Sequence, residues 1–172
     1  FQDKPGMLEC KPCTPGFYCP EGAAAALPCK GGNHQNATML RLNLSMTSAD
    51  DCVPCPPGAS CPTGAPEPVP CAPGSFTPNK GSASCARCEA GTYQEEEHAT
   101  GCKICTEHSW CAAGSSAPTA CKAGTVGRGL GLASADECES CVRSNASNCL
   151  LEQGYARLPT EFSFLCLRAL HS

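Results

Sequence analysis

The chain has 172 residues, a net charge of −4 and 18 cysteines. Only 23 residues are Leu, Ile, Val or Phe, too few for one large apolar core, so disulfides must supply the cross-links that burial cannot. The 12 Lys and Arg residues are scattered singly among 16 Asp and Glu, which argues against a nucleic-acid partner, and no apolar run is long enough to span a membrane.

The cysteines follow a repeated spacing. Cys-x2-Cys-x5-Cys-x9-Cys occurs three times, starting at Cys10, Cys52 and Cys102, and such regularity is typical of a repeat protein. A shorter unit, Cys-x2-Gly-[Ser/Thr]-aromatic-x8-Cys-x2-Cys, starts at Cys71 and Cys88. We therefore divide the chain into residues 1–52, 53–88, 89–138 and a divergent C-terminal part, 139–172.

The first unit is incomplete. Phe1 lies nine residues before Cys10, the step that also separates Phe76 from Cys85. The five residues that precede Phe76 in its unit have no counterpart before Phe1. We therefore expect the first half of this unit to lie upstream of Phe1.

Each unit predicts a tight turn followed by a short hairpin. Gly74, Gly91 and Gly124 stand where a turn needs positive φ, and the bulky residue two positions later, such as Phe76, is expected to cover a disulfide. The nine-residue arms rich in Pro are expected to be irregular spacers, and the Cys-x5-Cys loop an insertion between two shorter units. The fold class predicted is small and disulfide-rich: an elongated tandem array of cysteine-rich repeats with short β-hairpins, irregular loops and little helix.

A long loop separates Cys29 from Cys52 and carries two glycosylation sequons. The alternation in residues 39–44 predicts either a short edge strand or a glycosylated loop. Asn36 and Asn43 in this loop, together with Asn145, predict N-glycans and thus an exported glycoprotein located outside the cell or at its surface.

Eighteen cysteines admit many pairings, and the sequence alone does not select one. The repeat narrows the choice. A cysteine before a glycine turn most simply pairs with the first cysteine of the next Cys-x2-Cys, and each Cys-x5-Cys loop then closes on itself. The resulting pairs are Cys29–Cys52, Cys71–Cys85, Cys88–Cys102, Cys121–Cys138, Cys13–Cys19, Cys55–Cys61, Cys105–Cys111 and, by extension, Cys141–Cys149. Cys10 and Cys166 are left over.

The densest apolar segment lies near the C-terminus, in residues 158–170. No repeat core upstream has room for these side chains, and a contiguous apolar patch usually marks an interface. We expect the segment to dock on another chain or on a further domain of the same polypeptide, with Cys166 bonded there. The side chains predicted to form this interface are Phe162, Phe164, Leu165, Leu167 and Leu170.

The unit Cys-x2-Gly-[Ser/Thr]-[Phe/Tyr]-x8-Cys-x2-Cys resembles the ephrin-receptor-like cysteine-rich repeat, which is similar in style to tumour-necrosis-factor-receptor and EGF-like modules. The expanded form resembles repeats of large protist surface proteins, including apicomplexan cysteine-repeat modular proteins and flagellar-hair (mastigoneme) proteins. The match covers residues 1–141 and is strongest over 71–105; residues 142–172 lie outside it, and the loop from Cys29 to Cys52 departs from it. The resemblance implies an elongated, non-enzymatic extracellular array.

Metal binding and catalysis fit the sequence less well than an oxidised extracellular array. Cys-x2-Cys pairs also form half of many zinc sites, but the sequons and Pro-rich arms favour oxidised export. Residues 95–98, Glu-Glu-Glu-His, and the acidic pairs at 50–51 and 136–137 are expected to be solvated, and no His accompanies a nucleophile motif. We expect no cofactor, no metal and no enzymatic activity.

Two functions from different classes remain open. The first is a structural segment of a larger surface or filament glycoprotein that mediates assembly through protein–protein contacts. The alternative is a receptor-like recognition module that binds a protein ligand through loop residues. A filament subunit should bury the C-terminal apolar segment against a neighbour, whereas a receptor should expose a patch around loop aromatics such as Trp110.

Overall fold

The structure is a computed structural model that describes residues 1–6 and 9–140, and it consists of seven short β-hairpins in chain order. Each sheet of this described part has two antiparallel strands, and only one short α-helix is present. The predicted fold class, a small disulfide-rich hairpin array with little helix, is therefore confirmed. Hairpins 1 to 7 are β1 (Phe17–Tyr18) with β2 (Leu27–Pro28), β3 (Asn33–His34) with β4 (Val53–Pro54), β5 (Ala59–Ser60) with β6 (Val69–Pro70), β7 (Ser75–Phe76) with β8 (Ala86–Arg87), β9 (Thr92–Tyr93) with β10 (Lys103–Ile104), β11 (Ser109–Trp110) with β12 (Thr119–Ala120) and β13 (Thr125–Gly127) with β14 (Cys138–Ser140).

Every hairpin begins in the same way. A cysteine is followed, three residues later, by a residue with positive φ, which we call the turn residue, and the first strand starts immediately afterwards. The prediction of positive φ at Gly74, Gly91 and Gly124 is confirmed, with values of 82°, 84° and 82°. The seven turn residues are Gly16, Gly32, Gly58, Gly74, Gly91, His108 and Gly124.

This pattern changes the expected division into short and expanded units. The Cys-x5-Cys loop that starts at Cys13, Cys55 or Cys105 is the opening of a full hairpin, equivalent to the one that starts at Cys71. The Pro-rich arms are also more regular than expected, because each ends in the second strand of a hairpin. Proline is tolerated in these strands since each belongs to a sheet of only two strands.

Backbone hydrogen bonds close each turn. The cysteine that starts one hairpin donates its N–H to the carbonyl of the preceding turn residue, at 2.9 Å in all six consecutive pairs. Hydroxyls add a second link: Ser75 and Thr92 donate to the carbonyls of Ala72 and Glu89, both at 2.7 Å. The Ser/Thr position of the sequence motif therefore has a local role in the turn.

Successive hairpins are joined by a ladder of backbone hydrogen bonds. Between hairpins 3 and 4, for example, Gly58 N–H donates to Thr77 at 2.9 Å, Cys61 to Ser82 at 2.9 Å and Gly81 to Cys55 at 2.8 Å. The equivalent three bonds recur between hairpins 2 and 3, 4 and 5, and 5 and 6. The N-terminal residues join the same ladder, because Gln2 N–H donates to the carbonyl of Ala23 at 3.1 Å.

Hairpins two apart also touch, at the turn glycines. A Cβ added to Gly74 in hairpin 4 would lie 2.2 Å from the carbonyl oxygen of Gly114 in hairpin 6. The corresponding distance at Gly58, to the carbonyl oxygen of His98, is 2.1 Å. Glycine is therefore required at these positions both by its backbone conformation and by the close approach of another hairpin.

The loop between Cys29 and Cys52 does not form the edge strand that was one of its two expected conformations. It contains a short helix, α1 (Ala37–Arg41), and a 3-10 turn, Ala49–Asp51, and the predicted edge strand is wrong. The side-chain oxygen of Asn36 accepts the first free N–H groups of the helix, which starts the helical turn at the point where the hydrophobic alternation suggested extended backbone.

Candidate functional site

Seven disulfides link the described residues, and they are the same seven pairs that the repeat predicts. Three join cysteines six residues apart, and four join cysteines 14 to 23 residues apart. The observed bonds are Cys13–Cys19, Cys29–Cys52, Cys55–Cys61, Cys71–Cys85, Cys88–Cys102, Cys105–Cys111 and Cys121–Cys138. So many disulfides indicate an oxidising environment.

Cystine sulfur takes the place of a hydrocarbon core. Among the core side chains of the described residues, those with the lowest exposure, 1% or less, are all cysteines in disulfides. They are Cys29, Cys55, Cys61, Cys71, Cys88, Cys105 and Cys111. Hairpins 2 to 6 each bury at least one cysteine of their own disulfide, whereas the cysteines that cross-link hairpins 1 and 7 are half-buried.

One position is occupied by a half-cystine in three hairpins, by a polar side chain in three others and by Gly127 in the seventh. It lies six residues after the first cysteine of each hairpin, and we call it the column position. In hairpins 1, 3 and 6 it is the second cysteine of a short disulfide. In hairpins 2, 4 and 5 it is Gln35, Thr77 or Gln94, each buried and hydrogen-bonded. The sequence reasoning missed this position, although its fixed distance from the first cysteine is visible in the chain.

One cysteine of the described residues lies outside these seven disulfides. Cys10 is exposed and has no disulfide partner in the part of the chain that the structure describes. Phe1 and Lys11 exchange two backbone hydrogen bonds, of 2.8 and 3.0 Å. This matches the pairing of Phe76 with Ala86, so Cys10 lies at the position of Cys85. The predicted pair Cys141–Cys149 and the unpaired Cys166 lie outside the described residues.

The two sequons of the long loop differ in environment. Asn36 is half-buried, and its side-chain oxygen accepts from Thr38 N–H at 3.1 Å and Met39 N–H at 3.3 Å. Asn43 is exposed, with φ of 54°. The third sequon, Asn145, lies outside the described residues. Both described sequons leave the side-chain nitrogen without a hydrogen bond, so the geometry permits a glycan at either.

The predicted C-terminal interface, formed by Phe162, Phe164, Leu165, Leu167 and Leu170, lies outside the described residues. Within them, several large apolar side chains are exposed. They are Leu27, Leu40, Leu42, Leu44, Val69, Ile104 and Leu130. Three of these seven belong to the loop that carries Asn36 and Asn43.

The acidic clusters have local partners. Lys103 forms an exposed ion pair with Glu95 and lies within 4.0 Å of Glu96. The hydrogen bond from Lys103 lowers the pKa of Glu95, and the same bond raises the pKa of Lys103. Asp51 accepts from the N–H groups of Thr47 and Ser48 and caps its 3-10 turn. These carboxylates stabilise turns, in line with the expectation of solvated surface charges.

The histidines are dispersed. His98 has φ of 58° and donates its backbone N–H to Cys71, which gives it a structural place in the ladder. His108 is the only turn residue of the seven hairpins that is not glycine, and its Nδ1 is buried without a hydrogen-bond partner. Across residues 1–6 and 9–140, no group of three His, Cys, Asp or Glu side chains is placed to hold a metal ion.

The described surface has an open, shallow cleft between hairpins 4 and 6. Arg87 is its single charged side chain, beside the turn of Gly74 and the arm that carries Gly114. Ser75 supplies the one hydroxyl of this lining, and it donates to the carbonyl of Ala72 at 2.7 Å. No His, Lys, Asp or Glu side chain lines the cleft beside it to act as a general base. None of the helices described is long and apolar enough to cross a bilayer.

Comparison with protein-family models and with curated proteins finds no match to this chain. What is established is therefore the architecture itself: a cysteine-rich repeat in which disulfide-linked hairpins are joined by backbone hydrogen bonds.

Proposed function

We propose that the chain is a non-enzymatic structural segment of a larger surface or filament glycoprotein outside the cell, which mediates assembly through protein–protein contacts. The observation that carries the proposal is the ladder. Three backbone hydrogen bonds recur at each of four successive hairpin steps, and every hairpin is cross-linked by its own disulfide. Such an array resists bending and extension because its contacts and cross-links are spread evenly along its length.

The resemblance to ephrin-receptor-like repeats supports the same proposal. Its hallmark, the glycine turn followed by Ser or Thr and an aromatic residue, coincides with the start of hairpins 4 and 5. We assign the chain to this style of repeat and, within it, to the expanded form of protist surface and flagellar-hair proteins. Two exposed or half-exposed sequons and the many disulfides are consistent with export.

The receptor-like alternative receives less support from the loop aromatics. Trp110 is only half-exposed and lies in β11, where it pairs with Thr119 and bridges to Leu132 of the next hairpin. It therefore belongs to the contact between hairpins 6 and 7 rather than to a free binding patch.

The test is the oligomeric state of the secreted, oxidised chain with and without its C-terminal apolar segment. Sedimentation velocity should show assemblies for the full chain and a monomer after truncation following Cys149. The substitutions Phe164→Ser and Leu167→Ser in the full chain provide a matched control, because they remove apolar area without shortening the chain. A truncated chain that remains assembled would place the interface in the hairpins and would favour recognition over filament assembly.

A further inference from the structure

The loop between Cys29 and Cys52 carries an exposed apolar patch centred on a sequon. Leu40, Leu42 and Leu44 expose 47%, 64% and 51% of their surface. Asn43, the acceptor of the sequon, lies between the last two. Solvent-exposed leucines this close together are an aggregation liability on a secreted protein unless something covers them.

The backbone fixes this patch in one conformation. Leu44 N–H donates to the carbonyl of Met39 at 2.9 Å, and Asn43 N–H donates to Leu40 at 3.0 Å. The chain therefore folds back on the end of α1, and Asn43 takes the left-handed conformation that asparagine tolerates better than other non-glycine residues. The side chain of Asn43 makes no hydrogen bond within the described residues, so its amide nitrogen is free for modification.

We propose that an N-glycan attached to Asn43 covers Leu42 and Leu44 and prevents this patch from associating with other copies. The inference rests on the exported glycoprotein of the proposed function. In the covalent step, Nδ2 of Asn43 loses a proton and bonds to the anomeric carbon of a lipid-diphosphate-linked oligosaccharide. The bond between the anomeric carbon and the diphosphate oxygen breaks, the lipid diphosphate departs with its electron pair and takes up the proton, and nothing is oxidised or reduced. The first sugar is then held within one residue of both leucines.

Asn36 provides an internal comparison. Its side-chain oxygen caps α1, and the two residues that follow it are Ala37 and Thr38, neither of which is a large apolar residue like Leu42 or Leu44. A glycan at Asn36 would leave the cap intact because Nδ2 is not used by the helix. It would project from the opposite end of α1 from Leu42, so its loss should leave the leucines unaffected.

The test uses two variants of the full chain secreted by a eukaryotic cell. Ser45→Ala removes the Asn43 sequon but keeps Asn43 and its backbone conformation, and Thr38→Ala removes the Asn36 sequon but keeps the helix cap. Intact mass reports glycan occupancy, the fluorescence of the dye ANS reports exposed apolar surface, and sedimentation velocity reports self-association. We expect Ser45→Ala to lose one glycan, to raise ANS fluorescence about twofold or more and to form larger species than the wild-type chain does. Adding Leu42→Ser and Leu44→Ser should reverse both effects, and Thr38→Ala should show neither.

The outcomes separate this inference from the proposal beneath it. If Ser45→Ala loses its glycan with no change in ANS fluorescence or association, covering is refuted while the glycoprotein remains. A wild-type chain that is glycosylated at Asn36 but not at Asn43 would likewise refute covering and leave the glycoprotein in place. A secreted chain with no glycan at Asn36, Asn43 or Asn145 would overturn the exported glycoprotein as well.

Discussion

The turn glycines lack a Cβ, and at several of them this absence allows another hairpin to pack closely against the turn. Gly74 and Gly124 occupy the same position in different hairpins and share a φ of 82°. They differ in surroundings, because a Cβ at Gly74 would meet the carbonyl oxygen of Gly114 at 2.2 Å, whereas no described atom lies within 4 Å of one at Gly124. Alanine substitutions at these two glycines therefore separate the destabilisation caused by a left-handed backbone from the destabilisation caused by a steric clash with another hairpin.

We predict that Gly124→Ala lowers the free energy of unfolding by about 1–2 kcal/mol, the cost of a left-handed alanine. Gly74→Ala should lower it by clearly more, because the carbonyl it would strike is backbone and cannot rotate away. Denaturant unfolding of the oxidised chain, followed by circular dichroism, measures both. Equal losses for the two variants would show that hairpins 4 and 6 are not in contact.

The ion pair of Lys103 and Glu95 gives a pH prediction. The pKa of Glu95 lies below its ordinary value of 4.5. The contribution of this carboxylate to folding stability is therefore present above pH 4.5 and is lost as pH falls through the lowered pKa. The pKa of Lys103 lies above its ordinary value of 10.5. The contribution of this ammonium group to folding stability is therefore present below pH 10.5 and is lost as pH rises through the raised pKa. Carbon NMR of the Glu95 carboxyl should show its pKa rise toward the ordinary value in Lys103→Gln, and a backbone hydrogen bond of Glu95 should keep part of the lowering.

Because both groups are exposed, high salt should weaken the shift in the wild-type chain as well. An unchanged Glu95 titration in Lys103→Gln would mean that the ion pair does not form in solution.

At the residue scale, the sequence predicts what depends on spacing along the chain. Cys71 and Cys85 can be paired from the repeat because short loops bring neighbouring cysteines together whatever lies around them. The contact of Gly74 with Gly114 cannot be predicted in this way. It depends on how two hairpins 40 residues apart are oriented by the ladder between them, and a glycine in a turn has the same sequence signature with or without such a contact.

At the scale of one hairpin, a short disulfide and a buried amide are alternative internal links. In hairpin 6 the column position is Cys111, bonded to Cys105. In hairpin 5 it is Gln94, whose Nε2 donates to the carbonyl of Gly101 at 2.8 Å and whose Oε1 accepts from Glu96 N–H at 3.0 Å. The amide of Gln94 thus links both ends of the loop formed by residues 95–101.

We predict that Gln94→Met, which keeps the size of the side chain but removes its amide, lowers stability by about 1–3 kcal/mol because two backbone groups lose their partner. Amide hydrogen exchange should accelerate in residues 95–101. Gln35→Met is the matched control, since Gln35 accepts one bond, from Gly16 N–H at 3.1 Å, and its loss should act on hairpins 1 and 2. Exchange that does not change in residues 95–101 of Gln94→Met would contradict a linking role for the amide.

The same scale contains the clearest error of the sequence reasoning, at α1. The alternation of Met39, Leu40, Arg41 and Leu42 suggested a strand or a loop, because a period of two is visible in so few residues. The structure follows instead the capping signal of Asn36, whose side chain satisfies two N–H groups at the start of a helix. In a five-residue element the cap decides, since the hydrophobic pattern is too short to favour either period.

At the scale of the whole molecule, stability is shared between neighbours. The regular cysteine spacing predicts a repeat. It does not predict the ladder, because the ladder is made of backbone hydrogen bonds, and the residues at equivalent places in it, such as Cys61, Thr77 and Gln94, have different side chains. Each inner hairpin depends on its own disulfide and on bonds to the hairpins before and after it. Damage to one hairpin should therefore spread to its neighbours and weaken with distance.

The paired substitution Cys88→Ala and Cys102→Ala tests this spread without leaving a free thiol. Removing a cross-link between residues 14 apart should cost about 3 kcal/mol in the chain-entropy picture. Hydrogen exchange should then quicken in hairpin 5, exposing Tyr93, and to a lesser degree in hairpins 4 and 6, whose ladder bonds end on it. The effect should be smaller again in hairpins 3 and 7, which touch hairpin 5 at the turn glycines. The loop closed by Cys29–Cys52 should keep its protection, and the control pair Cys13→Ala and Cys19→Ala should instead affect hairpins 1 and 2. Equal loss of protection in every hairpin would show one cooperative unit instead of a nearest-neighbour array.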